Sequence, residues 1–172
     1  LAFPVNISIG SDAAHDTADY ESKEVFKKGD LVKVDLGASV NGFVGDCAFT
    51  AEIGTNNHLD LIKASREALN QALEIIRPGV KVREIGKKIN KVISKYDFKP
   101  IKNLGGHGLG QYNLHAGLFI PNYDNGDNTT LSEGQMIAIE PFATNGRGMV
   151  KNKNIVKIFG FEKSKPVRLP GA

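Results

Sequence analysis

The chain has no tryptophan, one cysteine and two methionines among its 172 residues. A single cysteine, Cys47, excludes an internal disulfide and fits a reducing compartment. The paired-cysteine spacing of a structural zinc site is absent. No apolar run approaches the ~18 residues of a membrane span, and no signal peptide is visible. A cytoplasmic location with no membrane partner is therefore expected. Charge of one sign is scarce too: 22 Lys and Arg against 19 Asp and Glu leave a net charge of +3. The basic pairs Lys27 with Lys28, Lys87 with Lys88 and Lys151 with Lys153 are scattered. They read as solvated faces rather than a phosphate track, so no nucleic-acid partner is expected. An initiator methionine is also missing. The chain opens inside the apolar segment LAFPVN and stops at VRLPGA without a closing element, which reads as a fragment cut at both ends. What is present, 41% apolar and 24% charged residues, suits one soluble domain with a sizeable core.

The stretch 33–47 organises the chain. Val32, Val34 and Leu36 alternate with Lys33 and Asp35, which predicts a strand with the acid on its polar face. Asn41-Gly42 accepts positive φ at both central turn positions, so a hairpin returns through Phe43. With that turn, Gly37 faces Asp46, and Asp35 sits diagonally beside it, roughly 7–8 Å away at the backbone. Two carboxylates on one sheet face repel unless a cation or a proton lies between them. Solvation of both acids is the plain alternative, weakened by the flanking Val, Leu, Phe and Ala. Cys47 reads as buried in the strand and has no evident His or Asn partner, so it is not expected to be a nucleophile.

Two amphipathic helices follow. The first is predicted from an Asn57 cap to about Ile76, with Leu59, Ile62, Leu69, Leu73 and Ile76 as its core stripe and Arg77-Pro78-Gly79 as its stop. The second starts near Val82 and carries Ile85, Ile89, Val92 and Tyr96 on one face, with Gly86 as an irregularity. Both are expected to cover one face of the sheet. Gly105, Gly106, Gly108 and Gly110 then surround His107, which lets the backbone approach something closely. Neither G-x-G-x-x-G opening a helix nor Gly-Lys-Ser/Thr is present to argue for phosphate. His115 follows eight residues later. After a polar loop over 121–134, residues 135–140 read as a buried strand ending at Glu140-Pro141, where a carboxylate needs a partner. A last strand is predicted over 154–161.

Asp35, Asp46, His107 and Glu140, with His15 and His115 of similar character, form a hard, oxygen-rich set suited to Mn, Fe, Co or Zn. Three acids over-supply one ion. Two divalent ions, typically ~3.5–4 Å apart, would use them with one bridging carboxylate and acidify a shared water enough to attack near neutral pH. The expected chemistry is metal-assisted hydrolysis, with the histidines orienting a carbonyl or moving a proton.

The ordered motifs AFPVNISI…AAHD, VDLG-x7-GDCAFT, GGHGLGQYNLHAG and IEPFAT resemble those of methionine aminopeptidases, the type 2 branch in particular, over nearly the whole chain. The resemblance implies an α+β pita-bread fold, here incomplete, as one partial catalytic domain over 1–172 with pseudo-symmetric halves of about 1–97 and 98–172. It implies Asp35 as a ligand of one metal, Asp46 as the carboxylate bridging both, and His107 and Glu140 as ligands of the other. Glu140 is also implied as a proton shuttle. His15 and His115 resemble the histidines that contact substrate and stabilise the tetrahedral intermediate, while Phe3, Leu114 and Ile158 fall where the family lines its methionine pocket. The implied activity is removal of the N-terminal methionine from peptides and nascent chains, in the neighbourhood of the ribosome, with two divalent ions. The family's fifth ligand, a late Glu, has no match. Glu162 follows an aromatic residue but lies in a segment resembling the approach to the type 2 helical insertion. Truncation would account for the gap, and the chain alone is expected to bind the ion pair poorly and turn over slowly or not at all. Two alternatives are an Xaa-Pro peptidase of the same fold and a pita-bread domain kept as a non-catalytic binding module.

Overall fold

Alternating polarity over the first third of the chain builds its longest strands. A computed structural model, which describes residues 1–160, shows β1 (Asn6–Ile9), β2 (Leu31–Val40) and β3 (Phe43–Glu52) in an antiparallel sheet ordered β1-β2-β3. Asn41 and Gly42 take φ of 52° and 84° and make the tight turn that their identities predict. The resulting register pairs Gly37 with Asp46 and Asp35 with Ala48, so the two acids lie diagonally on one face. A one-residue slip would move one of them to the opposite face. β1 sets Asn6 against Asp35 and Ser8 against Lys33, and both Asn6 and Ser8 are buried.

Toward the turn, the other face of this hairpin is uncovered among the described residues, although Val32 at its far end is buried. Leu36, Val40, Phe43 and Phe49 are exposed on it. Cys47 pairs with Leu36 and is exposed as well, so its expected burial is corrected. Strand alternation places the thiol opposite Asp46, on a face that no described residue covers at this end of the sheet.

The helices are α1 (Leu59–Leu73) and α2 (Val82–Ser94). Asn57 is not the cap of α1. His58 occupies the N-cap position without a side-chain bond, and Glu52, at the end of β3, accepts the amide protons of Asn57 at 2.9 Å and His58 at 2.7 Å. A carboxylate there also meets the positive end of the helix dipole. The buried face of α1 is Ala64, Ala68 and Ala72, whereas Leu59 and Leu73 are exposed. This corrects the leucine stripe: a row of alanines lets α1 lie close against α2, and the larger residues are pushed to its flanks. α2 buries Val82, Ile85, Gly86, Ile89, Val92 and Ile93. Tyr96 lies past its end and donates its hydroxyl to Glu67 at 2.6 Å. Gly86 is required by packing, because a Cβ there would overlap the backbone at Pro121 and Tyr123.

The remaining strands are short. β4 (Lys99–Pro100) pairs with β8 (Ala143–Thr144), and β5 (Gly105–Leu109) lies between β6 (Phe119–Pro121) and β7 (Met136–Ala138). α2 packs on β4 and β6, and α1 on β8 and the end of β3, so the helices cover mainly these later strands. The core runs from Ala68 and Ala72 through Val82, Ile85, Ile89 and Ile93 to Ile120 and Leu131. β7 ends at Ala138, leaving Glu140 beyond the ladder and beside Pro141, which has no N–H to extend it. The strand predicted from 154 is not formed over 154–160, where Ile155, Val156 and Phe159 are exposed. Among the described residues no neighbouring strand offers that segment a ladder. Residue 161 and Glu162 lie outside the described residues. No described helix is long and apolar enough to cross a membrane.

Candidate metal centre

Asp46 from β3, His107 from the middle of β5 and Glu140 just past β7 bring one ligand atom each to within 4.8 Å of the others. The acids of the hairpin thus come from one sheet, and the imidazole and the last carboxylate from another. His107 pairs with Ala138, and the glycines on either side of it turn toward the opposite face. A Cβ on Gly106 would overlap the Ala138 carbonyl, so the missing side chain is what lets β5 and β7 close up and carry Glu140 to His107.

His107 Nε2 lies 2.9 Å from Glu140 Oε1 and 3.5 Å from Asp46 Oδ2. Nδ1 lies 3.2 Å from the carbonyl oxygen of Gly108. With the proton on Nδ1 and donated to that carbonyl, Nε2 turns a lone pair toward two carboxylates. That lone pair is open to a proton carried by Glu140 or to a cation among the three groups, and this is the tautomer that metal-bound histidines adopt. Glu140 Oε1 and Asp35 Oδ1 are buried without a hydrogen-bond partner. Burial, followed by the charges of Asp46 and Asp35, pushes the Glu140 carboxyl up to about 8. Burial and then Asp46 also raise Asp35. Three oxygen donors and one imidazole nitrogen, short of positive charge, fit a hard or borderline divalent ion.

Asp35 stands outside the tight three-residue cluster but within electrostatic reach of Asp46 and Glu140. Its support is a residue that sequence reasoning missed. The buried Asn6, opposite it on β1, offsets part of the rise that burial and Asp46 impose on its carboxyl. The signal was available in AFPVNISI, where Asn6 and Ser8 alternate with Ile7 and Ile9 on a strand that otherwise reads as core.

The two remaining histidines are also near. The His115 ring lies 4.4 Å from that of His107, tilted by 57°. Burial, then the His107 and His15 charges, lower its pKa and keep it neutral at pH 7. His15 is exposed in the loop after β1, in the left-handed region at φ 59°, within electrostatic reach of Asp35 and His115. The Phe3 ring lies against Gly37, the strand partner of Asp46, where any Cβ would collide with it. Leu114 is half-buried beside His115, and Ile158 is half-buried in the segment after residue 150.

The model of metallopeptidase family M24 matches residues 1–160. The chain belongs to family M24. Among curated members it is 49% identical to the methionine aminopeptidase of Archaeoglobus fulgidus over 168 residues, covering 98% of this chain and 57% of that protein. It is 46% identical to the methionine aminopeptidase of Methanocaldococcus jannaschii over 171 residues, covering 99% and 58%. This M24 chain therefore spans somewhat over half the length of these relatives. Among solved structures, the methionine aminopeptidase of Thermotoga maritima superposes with a TM-score of 0.79 at 33% identity, covering 87% of this chain and 60% of that one. The prolidase of Pyrococcus furiosus superposes at 0.69 and 31%, covering 81% and 41%. The fold is the α+β pita-bread arrangement that the motifs imply, present in part.

Proposed function

We propose that this M24 chain carries the metal site and substrate cleft of a methionine aminopeptidase, which removes the N-terminal methionine from peptides and nascent chains. The observation that carries the reading is the convergence of one ligand atom each from Asp46, His107 and Glu140 to within 4.8 Å of one another. Asp35, Asp46, His107 and Glu140 would hold two divalent ions, Asp46 being shared, because three carboxylates over-supply one. When bound, such ions act as Lewis acids and lower the pKa of a water enough for it to attack near neutral pH. Glu140 is suited to take that water's proton and return it to the departing amine. His115, neutral and beside His107, can donate a hydrogen bond to the scissile carbonyl, and His15 reaches the cleft from the loop after β1. Phe3, against Gly37, with Leu114 and Ile158, would supply the apolar wall for the methionine side chain. Nascent chains as substrates place the reaction in the cytoplasm, close to the ribosome.

The experiment is a pair of peptides. The chain is stripped with chelator, titrated with Mn, Co, Fe or Zn, and assayed for methionine release from Met-Gly-Met and for cleavage of Ala-Pro. Slow, metal-dependent release of methionine with Ala-Pro untouched is expected. Exclusive cleavage of Ala-Pro would replace the reading by an Xaa-Pro peptidase. A chain that takes up no metal by calorimetry would replace it by a binding module.

A further inference from the structure

The loop that presents His15 is tied to the far end of the described chain by two matched ion pairs. Asp12 and Asp16 stand four positions apart, and so do Lys153 and Lys157. Lys153 Nζ lies 2.6 Å from Asp12 Oδ2, and Lys157 Nζ lies 2.9 Å from Asp16 Oδ1. Lys157 also donates to the Thr17 carbonyl at 3.1 Å and approaches Asp19 Oδ2 at 3.9 Å. From the sheet side, the Ile7 amide donates to the Asp16 carbonyl at 2.7 Å, and the Thr17 hydroxyl donates to the Val5 carbonyl at 3.0 Å. His15 lies between these ties with φ of 59°. A non-glycine residue stays in the left-handed region only where its neighbours over-determine the backbone. The two pairs are not equivalent. The inner side chains, Lys157 and Asp16, are only 25% and 24% exposed, whereas Lys153 is 64% exposed and screened by solvent.

We propose that Lys157 is a positioning residue: seated on Asp16 and Thr17, its ammonium holds the left-handed backbone at His15 and so aims the imidazole at the carboxylate cluster. The proposal rests on the aminopeptidase reading only for its catalytic consequence; the geometric claim stands apart from it.

The test compares isotope-labelled, metal-free chains by NMR. Lys157→Ala and Asp16→Asn each remove the inner pair from one end, Lys157→Arg restores the charge, and Lys153→Ala removes the outer pair. In the first two, the His15 Cα and Cβ shifts are expected to leave their left-handed signature. Exchange of the Ile7 amide is expected to rise about tenfold or more as the loop opens locally. Signals of Asp35, Asp46 and His107 are expected to stay in place, and Lys157→Arg to match the wild type. In the metal-loaded peptide assay, kcat is expected to fall roughly 10- to 100-fold with KM little changed, and Lys157→Arg to recover it. An unmoved His15 signature in Lys157→Ala would overturn the proposal. So would failure of arginine to rescue, or an equal effect from Lys153→Ala. If Lys157→Ala does not fold, Asp16→Asn decides in its place. A wild-type chain that cleaves only Ala-Pro would sink the aminopeptidase reading, while the spectra would still decide the positioning claim.

Discussion

Gly106→Ala should disable the metal centre without touching a ligand. A Cβ at this position overlaps the Ala138 carbonyl oxygen and comes within 3.1 Å of Ala138 C and Ile139 Cα. Carbon contacts relax at roughly 3.5–4.0 Å, so β7 must retreat from β5 by about half an ångström or more. All three atoms are backbone, and no rotamer change relieves the overlap. Overpacking of this kind costs about 1–3 kcal/mol. The larger effect falls two residues downstream, because Glu140 follows β7 and its contact with His107 Nε2 is only 2.9 Å. A ligand displaced by such a step should weaken divalent-ion affinity about 10- to 100-fold, the range seen when the supports of metal ligands are lost. Isothermal titration with Mn or Co measures the affinity, and denaturant unfolding measures the stability. Gly110→Ala is the control, since a Cβ there meets nothing closer than 3.4 Å. A Gly106→Ala chain that binds metal within twofold of wild type would refute the view that β5–β7 proximity sets the site.

Divalent ion at about 100 times its Kd should stabilise the wild-type chain by about 2.7 kcal/mol, read as a thermal shift. Asp46→Asn should abolish that shift, and an unchanged shift would contradict the central place of Asp46. In the metal-free chain, Glu140 titrates at about 8 rather than at the ordinary 4.5. The folded state keeps that proton where the unfolded chain has lost it, so stability should fall as pH rises from 4.5 to about 8. Urea midpoints across that range should show the fall, and Glu140→Gln should flatten it. Glu52 has the opposite sign. Its burial is outweighed by hydrogen bonds from the Thr55 hydroxyl and the His58 and Asn57 amides, which hold it at about 2. Its contribution is present above its ordinary 4.5 and should be lost as pH falls toward 2. Hydrogen exchange should show the first turn of α1 opening in Glu52→Gln, and undiminished protection there would rule out the capping role.

The parts of the site governed by local rules were legible. Asn41-Gly42 fixes a turn, the turn fixes a register, and the register sets Asp35 diagonal to Asp46. His107 stood out through its glycines and Glu140 through Pro141. What escaped depends on partners distant in the chain. α1 buries Ala64, Ala68 and Ala72 because α2 selects that face, which the periodicity of α1 does not encode. Alternation puts Cys47 opposite Asp46, yet whether that face is covered is a property of the whole molecule. Ile155 and Val156 have the composition of a strand, but a ladder needs a neighbour. Glu52 reaches its helix from the end of a strand, and Asn6 serves Asp35 across a sheet; neither partnership is spelled by adjacent residues.

Because two of the acids ride on the hairpin while the imidazole rides on a separate sheet and the third carboxylate just past it, an ion held among them would also be a clasp. His107 already meets Asp46 across the cleft at 3.5 Å, and an ion would bind the same groups to a common centre. The stiffness of the groove would thereby be tied to the supply of dissolved metal, and chelation should slacken it as well as remove the ion.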